Sequence, residues 1–174
     1  ANNTTADDNI AIGKNAMLSN TTGTRNIAIG NTAYDASDTE NDNMAIGHVA
    51  MSLDTAGGTR NIAIGNYSLD ALTSGDYNVA IGYGAAGALS TGGSNTAVGD
   101  GAMSGAAVTG DYNTAIGLSA MDALTSGSSN TSVGQNSLGA VTTANDNTAV
   151  GKNSMLINTT GASNTAIGIY SLRQ

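Results

Sequence analysis

The sequence predicts an all-β fold, a β-solenoid (β-roll) of ten coils of about 17 residues each, because a short motif repeats along the whole chain. Three observations predict it: the motif Asn-x-Ala/Ser-Ile/Val-Gly occurs ten times, successive copies recur at an almost constant spacing, and the chain contains no Pro, Cys, Phe or Trp. A fixed period along a whole chain is the signature of stacked structural repeats. The Asn residues that open the ten motifs are Asn9, Asn26, Asn43, Asn61, Asn78, Asn95, Asn113, Asn130, Asn147 and Asn164.

The length of the repeat selects the solenoid among repeat architectures. Paired helical repeats need about 33 to 47 residues, whereas this repeat has room only for two short strands and two turns. Two copies are one residue longer, and both carry the extra residue between the motif Gly and the next Asn, within 47–61 and 99–113. Because insertions in repeat proteins map to loops, we expect one repeat domain over residues 1–174, with ten coils and no evident cap at either end.

Strand alternation assigns faces to the motif. The x and Ile/Val positions share one face of the strand, and the Ala/Ser position points the other way. Because the Ile/Val position is β-branched in all ten coils, we interpret it as the interior column, facing a Met/Leu-type column eight positions after each Asn. The Ala/Ser column is then predicted to lie outside as a candidate chain–chain interface: Ala11, Ala28, Ala45, Ala63, Ala80, Ala97, Ala115, Ser132, Ala149 and Ala166.

Two further columns have structural explanations. Identical Asn side chains stacked on successive coils can hydrogen-bond along the axis as a ladder. The motif Gly indicates a backbone conformation that a Cβ would strain. With strands about 4.8 Å apart, nine intervals give a rod of roughly 43 Å.

Composition excludes several functional classes. The chain carries 13 acidic residues against 5 Lys+Arg, a formal net charge of −8, and the five basic residues are scattered. Nucleic-acid binding requires clustered Lys and Arg, so we expect no nucleic-acid partner. No apolar run approaches the ~20 residues of a membrane-spanning helix, and we expect no membrane insertion.

Residues that could carry chemistry are few. With one His, His48, and no Cys, neither a catalytic triad nor a zinc site is expected, and we predict no catalytic residue, no metal, no cofactor and no enzymatic activity. Four acidic residues cluster around the turn 35–42. They are interpreted either as ligands of a hard cation or as part of a solvated loop. The tripeptide Asp-Tyr-Asn recurs at 76–78 and 111–113, and its Tyr suits either a sugar or partner contact or the turn geometry.

The repeat resembles a known family. Segments such as TTGTRNIAIGNTAY (21–34) and TSGSSNTSVGQNSL (125–138) are similar to the β-roll repeats of trimeric autotransporter adhesin heads and, in the length of the repeat, to phage tail-fibre repeats. The resemblance covers essentially the whole chain. It implies a homotrimer of parallel β-rolls packed through their Ala/Ser faces, displayed outside a cell or on a virion. Within residues 1–174 we expect no neck, coiled-coil stalk or anchor.

Two functional hypotheses follow. The first is a structural segment of an extracellular, cell-surface or virion fibre whose partner is the chain itself, as a homotrimer, a head-to-tail filament or both. The second is a receptor-binding adhesin that holds a cell-surface receptor or glycan through its varied loops, such as 35–42 and 104–112. Ice binding ranks below both, because only the last five coils have Thr at the x position.

Overall fold

The computed structural model describes residues 5–36, 38–53 and 58–172, and these form an all-β solenoid without helices. Ten strands of three residues form a single parallel sheet in chain order. The strands are β1 (Ile10–Ile12), β2 (Ile27–Ile29), β3 (Met44–Ile46), β4 (Ile62–Ile64), β5 (Val79–Ile81), β6 (Thr96–Val98), β7 (Thr114–Ile116), β8 (Thr131–Val133), β9 (Thr148–Val150) and β10 (Thr165–Ile167). The predicted β-solenoid is confirmed.

The strands pair in strict register, so each motif position forms a straight column along the axis. Ala80 lies beside Ala97 and Ile81 beside Val98, and every other strand pair repeats this alignment. The backbone N–H of Val79 donates to the carbonyl of Asn95 at 2.8 Å, and Gly99 N–H donates to Ile81 O at 2.8 Å. Each strand is therefore held by the next coil and not by a hairpin partner.

Only one strand per coil appears in the described residues, whereas two were predicted. Where the second strand was expected, the chain runs through turns in which left-handed residues alternate with residues of negative φ. Asn15 has φ 60° and Met17 φ 51°, and the equivalent residues of the other coils share this conformation. Left-handed residues cannot continue a pleated strand. The segment still stacks on its neighbours through coil-to-coil hydrogen bonds, such as Met17 N–H to Ala33 O at 3.1 Å.

The predicted assignment of the two strand faces is wrong. The Ala/Ser column points into the coil, and its members from Ala28 to Ala149 are 0% exposed in the single chain. The Ile/Val and x columns face outward and remain half-buried or exposed. The residues predicted to form a chain–chain interface that instead face inward are Ala28, Ala45, Ala63, Ala80, Ala97, Ala115, Ser132, Ala149 and Ala166, with Ala11 at the same position in the exposed first coil.

The width of the interior explains this arrangement. The Met/Leu-type column is buried as predicted, with fully enclosed side chains such as Tyr34, Met51 and Leu69, and a further buried group of Leu and Val includes Leu72 and Leu89. These long side chains come from the wall opposite the sheet. Because protein interiors are close-packed, they leave space for only a methyl or hydroxymethyl group on the strand.

A column of small residues seven positions after each repeat Asn, immediately before the Met/Leu column, is also buried in most coils. Ala33, Ala50 and Ala85 are 0% exposed. The left-handed residue that follows each of them breaks the alternation of a strand, so two consecutive side chains face the interior. Ser137 and Ser154 occupy the same column, and their hydroxyls donate to the carbonyls of Ala149 and Ala166 at 3.1 and 3.2 Å.

The inward Ala column gives a first prediction. Ala97→Arg should unfold the surrounding coils, because it introduces a long charged side chain into a filled interior, where overpacking and a buried unpaired charge are both costly. Circular dichroism should show loss of β structure or a much lower melting temperature. Ala97→Ser is the matched control and should melt close to the parent, since Ser132 is accommodated in this column through a 2.7 Å bond to Ser137 O. A folded, stable Ala97→Arg protein would contradict the inward assignment.

Candidate functional site

The Asn column forms a continuous buried ladder beside the sheet. The backbone N–H of each Asn from Asn26 to Asn164 donates to the Oδ1 of the Asn one coil earlier, at 2.8–3.1 Å. In the coils from Asn9 to Asn130 the Nδ2 donates to a carbonyl near the end of the same coil, at 2.7–2.9 Å. Each amide thus ties its own coil closed and joins it to the next coil. Because these groups are buried and used internally, the ladder is a structural element.

The outer face of the sheet presents two outward-facing columns that are half-buried or exposed. The Ile/Val column runs along all ten strands, with Ile81 and Ile116 both 39% exposed. The x column beside it is apolar in the first five strands, as in Ile27 and Val79, and Thr in the last five. Exposed apolar patches mark interaction sites, so this face is a candidate surface for association.

The acidic turn at 35–42 does not assemble a cation site among its described residues. Glu40 is buried, and its Oε2 accepts the backbone N–H groups of Asp38 and Thr39 at 2.9 and 3.0 Å. Asp42 accepts from Arg25 in a salt bridge of 2.5 Å. Over the residues that the structure describes, no group of three or more His, Asp or Glu side chains is placed to hold a metal ion.

The two Tyr residues of the repeated Asp-Tyr-Asn turn occupy equivalent left-handed positions, with φ 59° at Tyr77 and 58° at Tyr112. Tyr77 is engaged by Arg60, whose guanidinium carbon lies 5.3 Å from the ring centroid and whose Nη1 donates to the phenol oxygen at 2.5 Å. Tyr112 is 67% exposed. Both interpretations made from the sequence, turn geometry and a contact surface, are compatible with this placement.

Sequence reasoning missed a cluster of three exposed aromatic rings. His48, Tyr67 and Tyr83 lie at the corner that follows the sheet in β3, β4 and β5, and stack along the axis edge to face. Their centroids are separated by 5.4 Å from His48 to Tyr67 and by 5.7 Å from Tyr67 to Tyr83. The sequence signal is an aromatic residue five or six positions after the Asn in three successive coils. His48, considered alone as a surface variant, is exposed.

An open pocket of about 380 Å³ adjoins this corner on the first three coils. Its apolar walls include Leu18, Val49 and Leu53, and its polar groups include the Asp35 carboxylate and the Thr32 hydroxyl. Burial raises the pKa of Asp35, with an opposing hydrogen bond from its own backbone. The pocket combines apolar surface with a carboxylate and hydroxyl groups, which is the composition of sites for small polar organic ligands.

Two carboxylates should shape the pH dependence of stability in opposite directions. Burial raises the pKa of Asp70, so its contribution is most favourable below the unfolded-state pKa and declines as the pH rises through the folded-state pKa. The hydrogen bond from Arg25 lowers the pKa of Asp42, whose contribution is present at neutral pH and is lost as the pH falls through its folded-state pKa.

We therefore expect Asp70→Asn to raise the melting temperature at pH 7 and to make little difference near pH 3, roughly one unit below the ordinary Asp pKa. Asp42→Asn should lower the melting temperature at pH 7, by a small amount because the pair is exposed. Thermal melts of both variants and the parent at the two pH values check this. Equal shifts of the two variants in the same direction at pH 7 would show the assignment to be wrong.

The described residues include no helix with the length and apolar character required to cross a membrane. Comparison of the chain with protein-family models, with curated proteins and with solved structures returned no match.

Proposed function

We propose that this chain is a non-catalytic structural segment of an extracellular, cell-surface or virion fibre, in which copies pack side by side through the outer face of the ten-stranded sheet. The observation that carries the proposal is the uninterrupted Ile/Val column that faces outward along the sheet, with every described member half-buried or exposed. The resemblance of the repeat to fibre and adhesin-head repeats supports a parallel homotrimer. The proposed interface is the Ile/Val face, and it replaces the Ala/Ser face expected from the sequence.

The dimensions of the face support association. Nine intervals of about 4.8 Å and strands about 10 Å long give on the order of 400 Å² of flat surface per chain, comparable with the largest functional patches on soluble proteins. A stable interface buries about 800 Å² per partner. Packing in a trimer would therefore also involve the corners that flank the sheet, since each chain would meet two neighbours.

The two halves of the face should contribute unequally. In β1 to β5 both outward positions are apolar, as in Ile62 and Ile64, whereas in β6 to β10 one of them is Thr. Burial of apolar surface is favourable by roughly 25 cal/mol per Å², and a buried hydroxyl needs a hydrogen-bond partner. The first five coils would therefore supply most of the association energy, and the Thr column would require bonds across the interface.

Head-to-tail stacking is a second mode of self-association that the geometry favours. At every step of the solenoid, equivalent backbone groups of neighbouring strands form the hydrogen bonds between coils, and each Asn accepts the next coil's N–H through its amide oxygen. A further copy could add to β10 as β10 adds to β9, which would give a contact that does not close. Side-by-side packing and axial stacking use different surfaces and are compatible in one fibre.

The experiment is the solution mass by light scattering, with negative-stain imaging of the same sample. Side-by-side packing predicts rods with three times the 17.1 kDa chain mass, and axial stacking predicts longer filaments. The variant Ile64→Lys with Ile81→Glu should give monomers that remain folded, because both side chains face outward from adjacent strands and the new charges are opposite.

The control is Leu53→Glu with Ile157→Lys, which makes the same change in net charge at exposed positions seven residues beyond the ends of β3 and β9. It should assemble like the parent. A parent chain that stays monomeric across the accessible concentration range would refute self-association, and an unaffected Ile64/Ile81 variant would refute this interface.

A further inference from the structure

We propose that one corner of the solenoid binds a linear, uncharged oligosaccharide. The site consists of the pocket on the first three coils and the adjoining ring cluster of His48, Tyr67 and Tyr83. Two independent features carry this inference: a row of exposed aromatic rings, and an open pocket with hydroxyl and carboxylate groups beside it. The site uses residues of the corner and not of the outer sheet face, so sugar binding is tested at Tyr67 and Tyr83 and self-association at Ile64 and Ile81.

The pocket and the rings are neighbours along the solenoid axis. The carbonyl of Asn31 accepts the backbone N–H of Val49 at 3.1 Å and lies 3.2 Å from Nδ1 of His48. Val49 lines the pocket, and His48 immediately precedes it. Tyr67 N–H donates to His48 O at 3.0 Å, so Tyr67 occupies, one coil further along, the repeat position of Val49. Val49 of the pocket is thus the chain neighbour of His48 and the coil-to-coil neighbour of Tyr67, which places the first rings beside the pocket.

The rings are held in place and accessible. Tyr67 is 36% and Tyr83 59% exposed, and each ring supports its neighbour in an edge-to-face contact. The amide of Asn66 accepts the backbone N–H of His48 at 2.9 Å, which fixes the turn between the two coils. Rigid aromatic side chains offer large contact area at little entropic cost.

The chemistry of the site fits a sugar. A hexopyranose presents apolar C–H faces that stack on aromatic rings, and a rim of hydroxyls that needs hydrogen-bond partners. The rings supply the first, and the Asp35 carboxylate with the hydroxyls of Ser19, Thr32 and Ser52 supplies the second. A succession of rings along the axis suits successive sugar units of a linear chain.

Charge selects an uncharged ligand. Among the described residues, neither Lys nor Arg lines the pocket or belongs to the ring cluster, and the one charged side chain in the pocket is a carboxylate. The whole chain carries a net charge of −8. Sulfated or uronic-acid glycans and nucleic acids favour Lys or Arg partners, and neither is among the pocket-lining or ring residues.

The test is binding of maltohexaose, cellohexaose and chitohexaose to the full chain, measured by isothermal titration and saturation-transfer NMR, with a heparin hexasaccharide for comparison. We expect saturable binding of at least one uncharged hexasaccharide and none of the heparin fragment. Tyr83→Ala and Tyr67→Gly should each weaken binding about tenfold by removing a stacking surface, and Asp35→Ala should weaken it through lost hydrogen bonds.

Tyr67→Gly avoids backbone strain, because Gly84 and Gly101 occupy the same left-handed position in later coils. Tyr112→Ala is the control, since Tyr112 is exposed and lies outside the ring cluster, and it should bind like the parent. Melting curves confirm that each variant is folded. The proposal is overturned if none of the three uncharged probes binds at millimolar concentration, if the heparin fragment binds instead, or if folded Tyr67 and Tyr83 variants bind as tightly as Tyr112→Ala.

Discussion

Gly82→Ala should destabilise the solenoid by about 2–6 kcal/mol, a large part of the stability of a typical domain. Gly82 follows β5 with φ +137°, a conformation open in practice only to glycine. A Cβ at this position would lie 2.5 Å from the carbonyl oxygen of Gly99 on the next coil. Backbone strain of about 1–3 kcal/mol and overpacking of about 1–3 kcal/mol act together, because that carbonyl belongs to a fixed backbone.

The matched control lies two residues away. Gly84 has φ +59°, and a Cβ there would meet nothing within 4 Å. Gly84→Ala should cost only about 1–2 kcal/mol, the penalty of a left-handed alanine, and other coils carry Tyr67 or Asn136 at this position. Urea unfolding followed by circular dichroism measures both. Equal losses for the two variants would mean that close coil-to-coil approach at the Gly column is not what limits the side chain.

Hydrogen exchange would locate the damage. In a stack of repeats each unit contacts only its neighbours, so stability is lost locally before it is lost globally. For Gly82→Ala we expect amide protection to fall first between β5 and β6, with the distant coils retaining theirs. A uniform fall along the chain would instead indicate that the solenoid unfolds as a single cooperative unit.

The sequence predicts the period, the strand over the repeat motif and the buried Met/Leu column correctly, because each depends on repetition alone, whereas the predicted second strand of each coil is absent from the described residues. It does not determine which strand face is interior. Ile64 is larger and more apolar than Ala63, and the usual preference places it inside. What overrides the preference is the opposite wall, where Leu69 and Leu72 already fill the interior. That these Leu side chains together fill the interior can be seen only in the folded coil, where they lie opposite the strand.

The candidate sugar site illustrates a second limit. His48, Tyr67 and Tyr83 are unequally spaced along the chain, and their offsets from the repeat Asn differ by one position. A strict column search therefore misses them. They meet because the corner after the motif Gly presents two neighbouring residues on one side of the solenoid, a property of the left-handed turn at Tyr67. The conformation of the turn determines which side chains become neighbours in space, and the repeat pattern does not specify that conformation.

Asn95→Ala should destabilise the solenoid by about 2–6 kcal/mol, because two buried backbone groups would each lose a partner at a cost of about 1–3 kcal/mol. The Asn95 side chain accepts the backbone N–H of Asn113 at 2.9 Å and donates to the carbonyl of Gly110 at 2.9 Å. Alanine can replace neither bond, and the ladder is closed to water. Because one of these bonds closes the coil and the other joins it to the next, local closure and axial stacking should weaken together.

Asn66→Ala is the control that distinguishes the loss of a buried ladder amide from the loss of a surface Asn side chain. The Asn66 amide also accepts a backbone N–H, that of His48 at 2.9 Å, but it does so on the surface. Water can replace that bond, so we expect a loss below about 1 kcal/mol. Thermal and urea unfolding at one protein concentration measure both variants. If Asn95→Ala were as mild as Asn66→Ala, the buried amides would be dispensable, and the Gly column and the packed interior alone would have to specify how successive coils stack.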